Sequence, residues 1–164
     1  MAEQRLQLRE GRHVLMDVVV STALNGPGEQ RGSECTPRGW HQIRARIGAD
    51  AAFGTVFVGR RPSGEIYTPA LRAQYPRRDW ILTRILWLSG LERGRNRLGT
   101  VDTQRRYVYI HGCPDDDVLG LPGSHGCVKM RNREVVALFD LVEVGTRVWI
   151  GEEPLPETFS TPLP

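Results

Sequence analysis

With 164 residues, 40% of them hydrophobic, and a net charge of +3, the chain is sized for one domain with its own core and is too short for two of ordinary size. All but one of its 22 basic residues are arginine, the exception being Lys129; arginine's planar fork suits an anionic substrate, but the charges are scattered without an aromatic-interleaved patch, which argues against nucleic acid as a partner. Eighteen glycines and eleven prolines imply many turns and favour a mostly β chain over a helical bundle.

The opening segment, Met1 to Thr22, has charges interrupting each apolar stretch up to Val18–Val20, so it lacks an h-region of secretory length and a small-residue cleavage site. No run of about 18 apolar residues occurs anywhere in the sequence. The expectation is a soluble, cytoplasmic chain with no membrane partner and reduced thiols, at least one of its three cysteines being necessarily unpaired.

In chain order, residues 5–22 alternate imperfectly and read as two strands turning at Gly11. Residues 25–39, dense in Gly, Pro, Asn and Ser, read as a long loop, and long loops in small domains are often functional. Strands are expected over 40–47, 52–59 and 64–67. Residues 79–89 place Ile81, Leu82, Ile85, Trp87 and Leu88 at mixed spacing that fits a helix or a buried strand; strand is favoured. Tyr107–Ile110 reads as a strand ending at His111, followed by a loop from Asp115 to Gly123. Asn132 is a suitable N-cap for a helix over Arg133–Val142, with Val135, Leu138 and Leu141 on one face. A closing strand over 146–150 completes a domain of residues 1–152, leaving 153–164 as a flexible Pro-rich tail.

The chemistry gathers at Ser124-His125-Gly126-Cys127, with His111 fourteen positions ahead of His125. A thiolate is the nucleophilic form of cysteine, so a catalytic cysteine needs an imidazole to take its proton. Both His111 and His125 qualify on this ground. Gly126 permits the tight turn that aims backbone N–H groups at a developing oxyanion.

This box, preceded by Ile110-His111-Gly112, resembles the signature of YkuD-type L,D-transpeptidases. Val20-Ser21-Thr22, Asn25-Gly26 and Thr36-Pro37-Arg38-Gly39-Trp40-His41 are similar to the family's early strand and Thr-Pro-x-Gly turn. The resemblance implies a mostly β, sandwich-like single domain with one or two short helices. It also implies that Cys127 attacks the third stem residue of peptidoglycan at its L-centre, expels D-alanine and forms a thioester. His111 is then the general base, oriented by the Gly112 carbonyl, and His125 a support residue. Gly126 and Cys127 N–H groups form the oxyanion hole. Ser124 braces the loop and, with Lys129 and Arg131, is a substrate-binding candidate. No cofactor or metal is implied, and carbapenems are expected to acylate Cys127. Two departures are visible: the His111 gap is somewhat short, and Lys129 stands where arginine is common.

Ordinary roles are expected for the remaining candidates: reduced thiols at Cys35 and Cys113, structural imidazoles at His13 and His41, and a solvated loop tip at Asp115–Asp117. A different class of reading takes the repeated His-Gly-Cys at 111–113 and 125–127 as a two-cysteine, two-histidine zinc site in a structural module; its spacing is unlike the usual paired ligands. Within the enzyme reading, the acyl group can pass to water or to an amine. The missing leader favours a cytoplasmic L,D-carboxypeptidase that trims muropeptide or free tetrapeptide stems during wall recycling; the alternative is a transpeptidase forming 3-3 cross-links or exchanging D-amino acids.

Overall fold

The structure, a computed structural model, describes residues 1–153; nearly all of the expected tail lies outside the described residues. β1 (Arg5–Glu10) and β2 (His13–Val19) form the expected hairpin. A second, seven-stranded sheet contains β3 (Gly39–Ile47), β4 (Thr55–Val58), β5 (Arg61–Ile66), β6 (Ile81–Gly90), β7 (Tyr109–Cys113), β8 (Val128–Arg131) and β9 (Arg147–Ile150). Its strands pair antiparallel except β7 with β8. Two helices, α1 (Pro69–Gln74) and α2 (Asn132–Leu141), complete a mostly β domain.

β6 is the spine. Ile85 pairs with Ile47 and with His111, while Leu82 pairs with Val56 and with Gly112. β3 and β4 therefore share one edge of β6 and β7 takes the other. Between those stretches Thr83 adopts φ +70° and the β6–β7 register shifts, a bulge that bends the strand. Leu82, Thr83, Ile85, Leu86, Leu88 and Ser89 are all buried, and a strand covered on both faces has no period of two to read. That is why residues 79–89 looked equally helical.

Three other expectations need adjustment. α2 has Arg131, not Asn132, at its N-cap; Asn132 begins the helix, and its side chain turns inward. The buried stripe of α2 is Val135, Leu138, Phe139 and Val142, at i, i+3, i+4 and i+7, whereas Leu141 is 57% exposed. The strand expected at Tyr107–Ile110 is displaced to Tyr109–Cys113, because Tyr107 takes φ +59° in a turn. α1 was not foreseen; Thr68 caps it, its Oγ1 accepting from the Leu71 N–H.

The main core joins Val20, Ile43, Leu86, Ile110, Val128, Met130 and the α2 stripe. Tyr109 instead packs with Phe57 and Ile85, with Cys127 against them. Alternation along β7 thus separates Ile110 from Tyr109 and places Cys127 on the face away from the main core. A cleft of about 1090 Å³ runs between the β1–β2 hairpin and β9 and is floored by Ile43, Ile110 and Val128. It belongs to the opposite face from Cys127.

Candidate active site

The loop carrying Cys127 is held by segments far away in sequence. Ser21 and Lys129 exchange backbone hydrogen bonds at 2.9 and 2.8 Å; Ser124 N–H donates to the Thr22 carbonyl at 3.0 Å, and Leu24 N–H to the Ser124 carbonyl at 2.9 Å. Fully buried Thr36 accepts from Ala23 N–H at 2.9 Å and donates to the Gly126 carbonyl at 3.0 Å. Buried Ser124 Oγ donates to the Cys127 carbonyl at 2.5 Å and accepts from Gly126 N–H at 3.2 Å. Gly126 adopts φ +121°, and a Cβ there would lie 3.3 Å from the Cys35 carbonyl oxygen. The upstream motif and the cysteine box, remote in sequence, are one hydrogen-bonded unit.

His111 is fully buried on β7. Its Nδ1 lies 2.8 Å from the Gly112 carbonyl oxygen. A carbonyl only accepts, so Nδ1 carries the proton and Nε2 presents the basic lone pair. Nε2 is buried without a hydrogen-bond partner, which is the state of a base awaiting a proton. Burial lowers the His111 pKa below its ordinary 6.5, Asp79 opposing. A Cβ on Gly112 would stand 2.4 Å from Asn132 Oδ1 and 2.7 Å from the Leu82 carbonyl oxygen; only glycine allows the approach of α2 and β6 that buries this ring.

Cys127 is partly buried, and its Sγ accepts from Tyr109 N–H at 3.3 Å and lies 3.6 Å from the Tyr107 carbonyl oxygen. Burial pushes the thiol up to about 12; Tyr109 N–H, Lys129 and Arg106 act to lower it, and Asp79 to raise it. The two shifts run against a resting thiolate–imidazolium pair. Arg106, half buried, lies over the upstream loop, donating to the carbonyls of Gly28, Glu29 and Cys35 at 3.1, 2.9 and 2.6 Å.

The other expected site residues fall around this centre. His125 is 65% exposed and 3.9 Å from Asp79. Lys129 Nζ sits between Asp79 at 3.7 Å and Asp117 at 3.9 Å. Arg131 donates to the carbonyls of Asp115 and Asp117 at 2.7 and 2.9 Å, and Asp117 also pairs with Arg72 at 2.8 Å. The acidic run is therefore an anchored loop, with Asp115 and Asp116 exposed to solvent as expected. Asn132 Nδ2 donates to the Cys113 carbonyl at 2.8 Å and its Oδ1 accepts from Thr83 Oγ1 at 2.6 Å, fixing the strand end beside His111. Tyr109, Arg106 and Asp79 gave no sign of a site in the sequence, and Asn132 only that of a helix cap, since each reaches the site through the fold.

The zinc reading finds no geometry. His111 Nδ1 is committed to a carbonyl, Cys113 Sγ faces the Met130 carbonyl at 3.4 Å, and His125 turns towards Asp79. Among the described residues no three His, Cys, Asp or Glu side chains gather to hold a metal ion.

Fold and site together describe a mostly β domain that carries a partly buried thiol and a fully buried imidazole. The model of the YkuD family, the L,D-transpeptidase catalytic domain, matches residues 1–150, and the chain belongs to that family. Over 53 residues, 32% of this chain and 17% of the relative, it is 45% identical to the probable L,D-transpeptidase YbiS of Escherichia coli K12. An L,D-transpeptidase structure from Mycobacterium smegmatis matches 91% of this chain and 54% of its own with a TM-score of 0.52 at 18% identity. An L,D-transpeptidase solved in complex with imipenem matches 90% of this chain and 54% of its own with a TM-score of 0.51, also at 18% identity. At those identities the likeness is one of fold. The chain spans under a fifth of YbiS and about half of the solved chains.

Proposed function

We propose that the chain is a cysteine-dependent L,D-carboxypeptidase that removes terminal D-alanine from peptidoglycan tetrapeptide stems. The observation that carries the reading is the buried imidazole of His111, with Nδ1–H fixed on Gly112 and Nε2 unpartnered, in a site whose thiol packs against the neighbouring β7 residue Tyr109. His111 Nε2 takes the Cys127 proton as Sγ attacks the carbonyl carbon of the third stem residue. The C–N bond breaks, the departing D-alanine amine receives that proton, and a thioester remains. Water, deprotonated by Nε2, then attacks the thioester carbonyl; the C–S bond breaks, the sulfur takes the proton back from Nε2, and the tripeptide leaves. The Gly112 carbonyl holds the ring as a carboxylate does in other triads. Cys127 N–H is the oxyanion donor; Gly126 N–H joins it by releasing Ser124 Oγ.

Water is favoured as acceptor because the carboxylates bordering the site are already occupied: Asp79 faces Lys129 and His125, and Asp117 faces Lys129 and Arg72. Neither offers an unpaired charge to an acceptor ammonium. The names of the relatives favour the second reading, transfer to an amine to form 3-3 cross-links. With the first reading goes a cytoplasmic location, which fractionation of native cells tests. Mass-spectrometric assay of tetrapeptide and its disaccharide form decides the reaction, with Cys127→Ala as control. Loss of one alanine is expected; dimers or D-amino acid exchange in its place establish the transpeptidase, and no reaction overturns both. Imipenem is expected to leave an adduct on Cys127.

A further inference from the structure

The β4–β5 hairpin turns through Gly59 and Arg60, at φ +54° and +69°. Two positive φ values make the turn type that favours Asn or Gly, so a side chain as large as arginine is held there at a conformational cost. Its guanidinium lies 4.6 Å from the Trp87 ring centroid and 4.8 Å from that of Tyr107, and Nη1 donates to Tyr109 Oη at 3.2 Å. Trp87 in turn stacks on Tyr107 and meets Tyr109 edge to face, both at 6.3 Å. Among the described residues no carboxylate pairs with Arg60; the Tyr109 hydrogen bond, with Tyr107, supports its charge against partial burial. Both tyrosines touch the nucleophile: Tyr109 N–H donates to Cys127 Sγ, and the Tyr107 carbonyl lies 3.6 Å from it.

A guanidinium has five donors in a rigid fork. Here the aromatic rings hold the face of that fork, and Tyr109 Oη takes one of its five donors, leaving the rest for a carboxylate. We propose that Arg60, clamped by Trp87, Tyr107 and Tyr109, is a carboxylate-binding subsite for the donor stem, one tyrosine side chain away from Cys127. The inference rests on the tetrapeptide reading above and deepens it. A stem donor offers a carboxylate from two sources near the attacked carbonyl: the terminal D-alanine, and the side-chain end of a third residue that is a diamino acid with a second carboxyl.

Four tetrapeptides separate the sources: free acid or C-terminal amide, each with a third side chain ending in a carboxylate-bearing centre or in a bare amine. Hydrolysis by the wild type is read as kcat/KM, and binding to Cys127→Ala by calorimetry. Charge-assisted hydrogen bonds of this kind are worth roughly tenfold or more in affinity, so deletion of the bound carboxylate is expected to lower both quantities by about that factor. Arg60→Asn, a residue this turn favours, should keep the hairpin folded, as a thermal melt will show, and should no longer distinguish that pair. Arg60→Lys should restore part of the discrimination. The source is the carboxylate to which Arg60→Asn is blind. If Arg60→Asn discriminates every pair as strongly as the wild type, the subsite is overturned. Failure of the wild type to hydrolyse any of the four overturns the carboxypeptidase reading instead, and the binding series on Cys127→Ala still decides Arg60.

Discussion

Iodoacetamide should alkylate Cys127 slowly at neutral pH. With its thiol pushed up to about 12, Cys127 holds on the order of 10⁻⁵ thiolate at pH 7, against a few per cent for a free cysteine of pKa about 8.5. Alkylation should therefore run about three thousandfold below a free thiol, and should rise about tenfold per pH unit from 7 to 10 without a plateau. His111→Asn should leave the rate nearly unchanged, because burial lowers the ring below 6.5 and so favours its neutral form there. Peptide-mapped mass spectrometry resolves the three cysteines in one digest, with partly buried Cys35 and buried Cys113 as internal references. A plateau below pH 8 at or above the free-cysteine rate, abolished by His111→Asn, is the signature of a thiolate–imidazolium pair and would refute the neutral resting state.

Four further outcomes follow from the geometry. Because burial lowers His111 below 6.5, its base form persists into mild acid, and the acid limb of kcat/KM should lie below pH 6.5; a limb above pH 7 contradicts it. His41 is fully buried, with Nδ1 on the Gly39 carbonyl and Nε2 on Thr103 Oγ1, and burial brings it down to about 4. A folded value below the unfolded 6.5 means stability present above pH 6.5 and lost towards pH 4, about 3 kcal/mol in full; urea midpoints against pH should show a shallower slope in His41→Gln. Gly112→Ala drives a Cβ into the Leu82 carbonyl at 2.7 Å, a backbone atom that cannot swing away, and should cost about 1–3 kcal/mol in urea unfolding. Asn132→Ala leaves the Cys113 carbonyl and the Thr83 hydroxyl without their partner, which should cost about 2–4 kcal/mol and reduce turnover through His111.

Local grammar made parts of this molecule legible. The β1–β2 hairpin declares itself through Gly11, α2 through its apolar spacing, and the cysteine box through residue types that seldom assemble for packing alone. The obscure parts depend on contacts distant in sequence. β8 has four residues and exists only because β7 and the Ser21 segment pair with it. Asn132 has the chemistry of a cap, yet a buried donor at Thr83 and a buried acceptor at Cys113 outbid the helix end for it. Lys129 and Arg131 read as cations available to a substrate until loop 115–117 folds over them. Arg60 shows no pattern in the sequence; its aromatic clamp comes from β6 and the 107–109 turn.

The opposed shifts of Cys127 and His111 also bear on selectivity. A resting thiolate reacts with any electrophile or oxidant that reaches it, whereas a neutral thiol reacts only when loss of its proton to a base and attack occur together. Tyr109 N–H, Lys129 and Arg106 all stabilise negative charge at Sγ, and burial with Asp79 outweighs them. The balance is thus set by exclusion of water, a quantity that a bound substrate changes along with its own developing oxyanion. Reactivity then belongs to the complex more than to the free protein. A strained β-lactam that reproduces the acyl geometry should acylate Cys127 under conditions where iodoacetamide, which offers no oxyanion, barely reacts.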